Sequence, residues 1–263
     1  MASDDKENHQ FLRPVAEKTG RNVLPLGTKL PMDDEESREE IQRMAEIGWL
    51  NYSELDELRI IHPGMRSTFT LNAFRELRTN LYQLAAGKEN FVLLVTSITP
   101  EGGASFVSMN LGAAIALDES KTAIVVDCNV YDPCLHRVLP IDPDYGLADY
   151  LENVTLDLKD IIYSTGIRRL RMIPAGSRRQ PGTEFFTSSR MRRFVHELRA
   201  RYRDRYVIVD GPSIGNSADA RILAELCDFV VLVVPYGRVS QAQLRSNIEA
   251  IGRSKLAGVI FNN

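Results

Sequence analysis

Two glycines, a serine and two aspartates carry the chemistry that this sequence could perform: Gly102, Gly103, Ser105, Asp127 and Asp210. The glycines and the serine belong to Thr96-Ser-Ile-Thr-Pro-Glu-Gly-Gly-Ala-Ser105. An apolar, β-branched run precedes that stretch, and helical spacing resumes after it. Strand, Gly-rich turn and helix is the layout of a P-loop, whose backbone N–H groups wrap a phosphate at a helix N-terminus. In a working loop a lysine reaches the β- and γ-phosphates and the following Ser or Thr holds Mg²⁺. An aspartate on a neighbouring strand completes the metal shell. Ser105 is present, and Asp127 and Asp210 each close an apolar run. The C-terminal ends of parallel strands are where such sheets keep their ligands. Strand-end acids also serve as helix caps or turn formers, but the loop upstream favours a metal site. The lysine's place holds Ala104.

The elements that must position these residues alternate in type. Apolar runs at residues 91–96, 121–127, 170–173, 206–210, 229–234 and 258–262 predict strands. Helical spacing predicts helices from 67 to 84, with Phe69, Ala73, Leu77, Leu81 and Leu84 apolar, and from the loop to about 117. Further helices are expected at 145–151, 156–163, 190–202, 218–226 and 240–251. The pattern implies an α/β class with a doubly wound, mostly parallel sheet, a P-loop NTPase-like three-layer α/β/α domain over 61–263. Residues 1–60 read as an acidic extension. Its first 36 residues show no periodicity. Ser37 and Glu40 then form a capping-box pattern ahead of Ile41, Met44, Ile47 and Leu50, which predicts a short helix near 38–50. That helix either lies on the main domain or docks a partner.

Composition narrows the function. The net charge of −3 gives no global reason for nucleic acid. Residues 1–60 hold 14 acidic against 8 basic residues, and the remainder 21 against 24. The three cysteines, Cys128, Cys134 and Cys227, have neither disulfide-framework nor metal-ligand spacing. No apolar run reaches the ~18 residues of a membrane span, and the polar start is unlike a signal peptide. The expectation is a soluble, cytoplasmic protein whose association with any membrane comes through a partner. The arginines of the 190–202 helix read mainly as a solvated face.

From about Arg59 to Asn262 the chain resembles the bacterial tyrosine-kinase (BY-kinase) domain of capsule and exopolysaccharide loci, most of all the branch found with exosortase loci. The loop matches Thr-Ser-x-x-Pro-Gly-Glu-Gly-Lys-Ser/Thr. Asp127-Cys-Asn129-Val-Tyr131-Asp132-Pro133 matches a second motif, Asp-x-Asp followed by Arg and Pro. Asp210-Gly-Pro212-Ser213 matches a third, Asp-x-Pro-Pro. Asn72, Arg75 and Arg78 match Glu-x-x-Arg-x-x-Arg, a segment tied to oligomerisation.

The resemblance implies ATP/ADP and Mg²⁺ as ligands, with Gly102, Gly103, Ala104, Ser105 and Asn262 around the nucleotide and Ser105, Asp127 and Asp210 around the metal. Asp127 and Asp210 hold the ancestral catalytic positions. It implies self-association and, as partner, the cytoplasmic part of a polysaccharide co-polymerase. The departures fall on the chemistry: Ala104 for lysine, Asn129 for the second acid, Asn72 for glutamate. No tyrosine cluster follows the last strand, because the sequence ends at Asn263. The expectation is a degenerate, pseudokinase-like regulator of polysaccharide synthesis or export. The alternative is an active kinase or ATPase with a substitute cation, for example Lys121 or an arginine from a second copy. Partitioning and division-site ATPases share the fold, but their second loop lysine has no counterpart at Ile98, Thr99 or Pro100.

Overall fold

Six short apolar runs and one two-residue edge strand assemble into one sheet in the computed structural model, which describes residues 49–66, 68–88, 90–177, 184–200 and 204–263. The expected tail and almost all of the expected helix near 38–50 lie outside those residues, as do Ser67 and residues 201–203. The strands are β1 Val92–Ser97, β2 Thr122–Asp127, β3 Tyr163–Ser164, β4 Leu170–Ile173, β5 Arg205–Asp210, β6 Phe229–Pro235 and β7 Leu256–Asn262. Their order is β3-β4-β2-β5-β1-β6-β7, and every pair is parallel except β3 with β4. β1, β2 and β5 are buried along their whole length, as expected of parallel strands covered on both faces.

Period-two alternation sorts the core into two layers. Leu93, Val95, Ala123, Val125, Tyr206 and Ile208 face helices α1 Tyr52–Glu57, α2 Thr68–Leu84 and α3 Ala104–Ala116. Val92, Leu94, Ile124, Val126, Val207 and Val209 face the other layer. That layer is built from α4 Leu147–Glu152, α5 Glu184–Thr187, α6 Ser189–Ala200, α7 Ala218–Leu226 and α8 Gln241–Ile251. The three-layer α/β/α architecture is therefore the one expected.

Three expectations are corrected. Residues 156–163 do not form one helix. A single 3₁₀ turn, Leu158–Ile161, leads into β3, which pairs antiparallel with β4. The reversal between them uses left-handed backbone at Gly166 (φ 74°) and Arg169 (φ 64°). The buried face of α2 is Leu71, Phe74, Leu77 and Leu81, whereas Phe69 and Leu84 are exposed. The choice is made by α3, whose Phe106 meets the Phe74 ring edge-on at 5.9 Å. The arginines of α6 are partly anchored. Arg190 Nη2 donates to Asn153 O at 2.8 Å and its guanidinium lies 4.4 Å from the Tyr150 ring centroid. Arg199 pairs with Asp228 at 3.3 Å, while Arg193 stays exposed.

Residues 49–66 strap the α3 face. Leu50 N donates to Gly166 O at 3.0 Å at one end of the strap. At the other, the buried Asn110 of α3 accepts from Ile61 N at 2.8 Å and donates to Arg59 O at 3.1 Å. No helix among the described residues is long and apolar enough to cross a membrane.

Candidate functional site

The loop between β1 and α3 is built for close backbone approach. Gly103 is the N-cap of α3 at φ 92°, and no side chain caps the helix. The first-turn N–H groups are therefore left for an anion. A Cβ on Gly102 would come within 2.6 Å of Ser97 Cβ, and one on Gly103 within 2.1 Å of Asn262 Nδ2. Asn262 reaches the loop from the end of β7, donating from Nδ2 to Gly102 O at 3.2 Å. Glu101 holds left-handed backbone at φ 56°, a conformation unusual for a residue with a Cβ. Thr99 Oγ1 is buried and has no partner among the described residues.

The two aspartates arrive beneath this loop by strand parity. Asp127 follows Ala123 and Val125, and Asp210 follows Tyr206 and Ile208, so both carboxylates emerge on the α3 face. They are directly paired in register across β2 and β5, and both are fully buried. Ser105 Oγ donates to Asp210 Oδ2 at 2.7 Å, and Ser108 Oγ to Asp210 Oδ1 at 2.9 Å. Asp127 accepts from Asn129 N at 3.0 Å and from Leu135 N at 3.3 Å. Burial raises the Asp127 carboxyl well above its ordinary range, and the Asp210 charge adds to that. Burial also raises Asp210, to about 6, against the opposing donation of Ser105 and Ser108. Two buried carboxylates side by side call for a cation or a proton.

Hence Gly102, Gly103, Ser105, Asp127, Asp210 and Asn262 come together at one end of the sheet. A phosphate fits the Gly cradle, and Ser105 with the two carboxylates is an oxygen donor set suited to Mg²⁺. Ala104 is buried at the first position of α3 and offers no charge. Lys121 does not replace it. It precedes β2, whereas Asp127 ends it, so the two are separated by the six residues of the strand, or ~20 Å at about 3.3 Å per residue. Asn129 spends its amide on Asp132 O at 3.1 Å.

Asn72 and Arg75 are exposed on α2. Arg78 instead turns inward and donates from Nη1 to Ala114 O at 2.7 Å in the last turn of α3. Arg169 does the same for Ala116 O at 2.9 Å. Carbonyls at a helix C-terminus need donors, and a guanidinium also complements the dipole there. One nitrogen of Arg78 is thus committed within its own subunit.

Sequence reading missed Ser108 and Cys134. Ser108 lies three residues after Ser105, on the same helix face, which is the signal that was available. Cys134 is drawn against Ser105 by the chain reversal after β2, which no local pattern announces. All three cysteines are free thiols, and burial raises each of them, so none is activated.

No family model matches the chain. Among curated proteins, the tyrosine-protein kinase CpsD of Streptococcus agalactiae is 30% identical over 212 residues, covering 79% of this chain and 90% of CpsD. The chain belongs to the bacterial tyrosine-protein kinase family. Another relative, the succinoglycan biosynthesis transport protein ExoP of Rhizobium meliloti, is 28% identical over 214 residues, and this tyrosine-kinase family member spans only 26% of ExoP's length. Its fold is that of the chimeric protein CapA2B2, with a TM-score of 0.70 at 24% identity over 88% of this chain and 98% of that one. It also overlaps the septum site-determining protein MinD of Pyrococcus horikoshii, complexed with Mg-ADP, with a TM-score of 0.53 at 19% identity over 65% of this chain and 69% of that one. Both likenesses are likenesses of fold.

Proposed function

We propose that this protein is a degenerate, pseudokinase-like member of its family that regulates exopolysaccharide, capsule or adhesive polysaccharide synthesis or export by binding. Its partner would be the cytoplasmic part of an inner-membrane polysaccharide co-polymerase, which would hold it at the membrane from the cytoplasmic side. The observation that carries the reading is Ala104. The phosphate cradle and the oxygen donors are intact, while the position that should supply the cation holds a buried methyl group. Asn129 adds the loss of a second acid. Phosphoryl transfer is mostly positioning and electrostatic stabilisation, so the loss of one such charge typically costs roughly 10²–10³-fold.

Gly102, Gly103, Ala104, Ser105 and Asn262 would surround ATP or ADP, and Ser105, Asp127 and Asp210 a Mg²⁺. When bound, these ligands would supply a phosphoryl group and the charge that neutralises it. Loss of one charge-assisted contact weakens nucleotide binding by about 1.5–3 kcal/mol. Residues 61–263 would form the domain and 1–60 an acidic extension. Asn72 and Arg75 are the exposed residues through which α2 would self-associate.

A titration with Mg²⁺ and ATP, run beside a turnover assay, tests the reading. Weak binding without turnover is expected. ATP turnover abolished by Asp127→Asn or Asp210→Asn would overturn it and favour an active kinase whose cation comes from a second copy. In cells, an Asp127→Ala copy should restore the polysaccharide lost on deletion.

A further inference from the structure

One edge of the sheet is blunted and the other is open. At the blunted edge β3 has two residues, and the strap closes over the turn that follows it, with Leu50 N donating to Gly166 O at 3.0 Å. At the open edge β7 runs for seven residues, and its sequence Leu-Ala-Gly-Val-Ile-Phe-Asn holds no charge and no proline. Within the described residues β7 pairs with β6 alone. Natural edge strands usually carry a lysine, a proline or a cover that blocks further pairing. The register shift between Val230 and Val231 falls at the start of β7 and leaves residues 258–262 regular.

Strand geometry says which groups are free. Tyr236 N donates to Asn262 O at 2.8 Å, so Asn262 turns its backbone towards β6. Peptide groups alternate in direction along a strand. Gly258 and Ile260 therefore face β6 as well, while Val259 and Phe261 turn N–H and C=O outward. Those outward groups have no backbone partner among the described residues. Side chains alternate too, with Val259 packed on the α8 layer and Ile260 on the α3 layer. Phe261 shares the Val259 face and is 52% exposed, next to Tyr236 at 73%.

From this edge we infer that β7 is a dimerisation site, filled by β7 of a second copy paired antiparallel about a two-fold axis at Ile260. In that register Val259 bonds Phe261 of the second copy and Phe261 bonds its Val259, so every outward group of the two residues is satisfied. An aromatic ring against a β-branched side chain is a favourable cross-strand pair. On the other face Ile260 lies opposite itself and Gly258 lies opposite Asn262. Gly258 has no side chain, which leaves Asn262 room to keep its bond to Gly102 O at 3.2 Å. No like charges meet, because the strand has none. The short β3 offers no continuation at the far edge, so the assembly closes at two copies. One strand edge is small against the roughly 1,200–2,000 Å² of a stable interface, so the dimer is weak and concentration-dependent. This surface is separate from the Asn72 and Arg75 face of α2, and the inference is independent of whether nucleotide turns over. Its consequence reaches the loop, because pairing holds in place the Asn262 that props Gly102 in both copies.

The experiment is sedimentation of the full chain over about 1–200 µM, where a monomer–dimer equilibrium is expected. Phe261→Pro removes an outward N–H while sparing the bonds to β6, and should weaken the dimer by roughly 30-fold. Phe261→Lys adds a charge at an exposed position that folding tolerates, and should weaken it by at least about tenfold. Ile260→Cys sets two sulfurs across the axis at a Cα separation of about 4.5 Å, within disulfide reach. Mild oxidation should then give a covalent dimer that the parent does not form. A monomer throughout would leave the edge to a strand of another protein and overturn the inference. So would a dimer that both Phe261 variants leave within about threefold of the parent, or a covalent dimer from Arg75→Cys with none from Ile260→Cys.

Discussion

Restoring the missing charge is the sharpest perturbation available. Ala104 opens α3, one residue before Ser105, whose hydroxyl already touches Asp210. Ala104→Lys places an ammonium on a flexible four-carbon stem at the rim of the Gly cradle, close to two carboxylates that are both raised by burial. A charge-assisted contact to a phosphate contributes on the order of 1.5–3 kcal/mol, so affinity for ADP with Mg²⁺ should rise by roughly 10- to 150-fold. Ala104→Met is the control, because it adds similar bulk without charge and should leave affinity near that of the parent. A fluorescent ADP titration at fixed Mg²⁺ reads both, and unfolding curves confirm that each variant folds. If the Lys and Met variants bind within about threefold of one another, the lost charge is not what limits the site. If the parent already binds as tightly as the Lys variant, the reasoning from Ala104 fails outright.

Other outcomes follow from the same geometry. Asp210 is raised from 3.8 to about 6, so the folded protein binds more protons than the unfolded chain across that window. Its contribution to stability is full below the unfolded value and is lost as pH rises through the folded one. Tm should therefore fall from pH 4.5 towards 7 more steeply in the parent than in Asp210→Asn, which keeps both serine contacts because hydroxyls can donate or accept. Gly103→Ala must adopt left-handed backbone and displace Asn262, for a loss of about 2–4 kcal/mol in urea unfolding, and adding Asn262→Ala should recover part of it. Arg78→Ala should cost about 1–3 kcal/mol through the uncapped carbonyl of α3, while Arg75→Ala should stay within about 0.5 kcal/mol. Equal losses in thermal unfolding would remove the capping role. Asn110→Ala leaves Ile61 N and Arg59 O without their partner and should cost roughly 2–4 kcal/mol, read as earlier proteolysis of residues 49–66.

Much of this was legible because parallel strands announce themselves. The β-branched runs at β1, β2, β5 and β6 needed no partner to be recognised, and their C-terminal ends fixed where Asp127 and Asp210 would lie. The Gly-Gly turn before Ser105 was equally plain, since few other sequences satisfy that backbone. What escaped was set by tertiary choice. β3 has only two residues, too few for any periodicity, and exists because β4 offers it an edge. The face of α2 depended on which stripe Phe106 would meet. Arg78 reads as a surface charge until the end of α3 is placed beside it. The hydrogen bond from Tyr131 to Asp219 joins residues 88 positions apart, through the segments that follow the neighbouring strands β2 and β5.

The strand order carries a consequence for how the chain is made. β2 and β1 are not neighbours, because β5 lies between them and pairs with both. A ribosome that has finished β2 must add 77 further residues before β5 begins at Arg205, which takes roughly 4–15 s at about 5–20 residues per second. For that interval both strands present bare backbone edges and apolar faces in the same nascent chain. The loop, Ser105 and Asp127 are then all synthesised, yet the strand that brings Asp210 between them is still missing. The carboxylate pair therefore comes together only when the central gap of the sheet is filled, late in synthesis and in a single closing step.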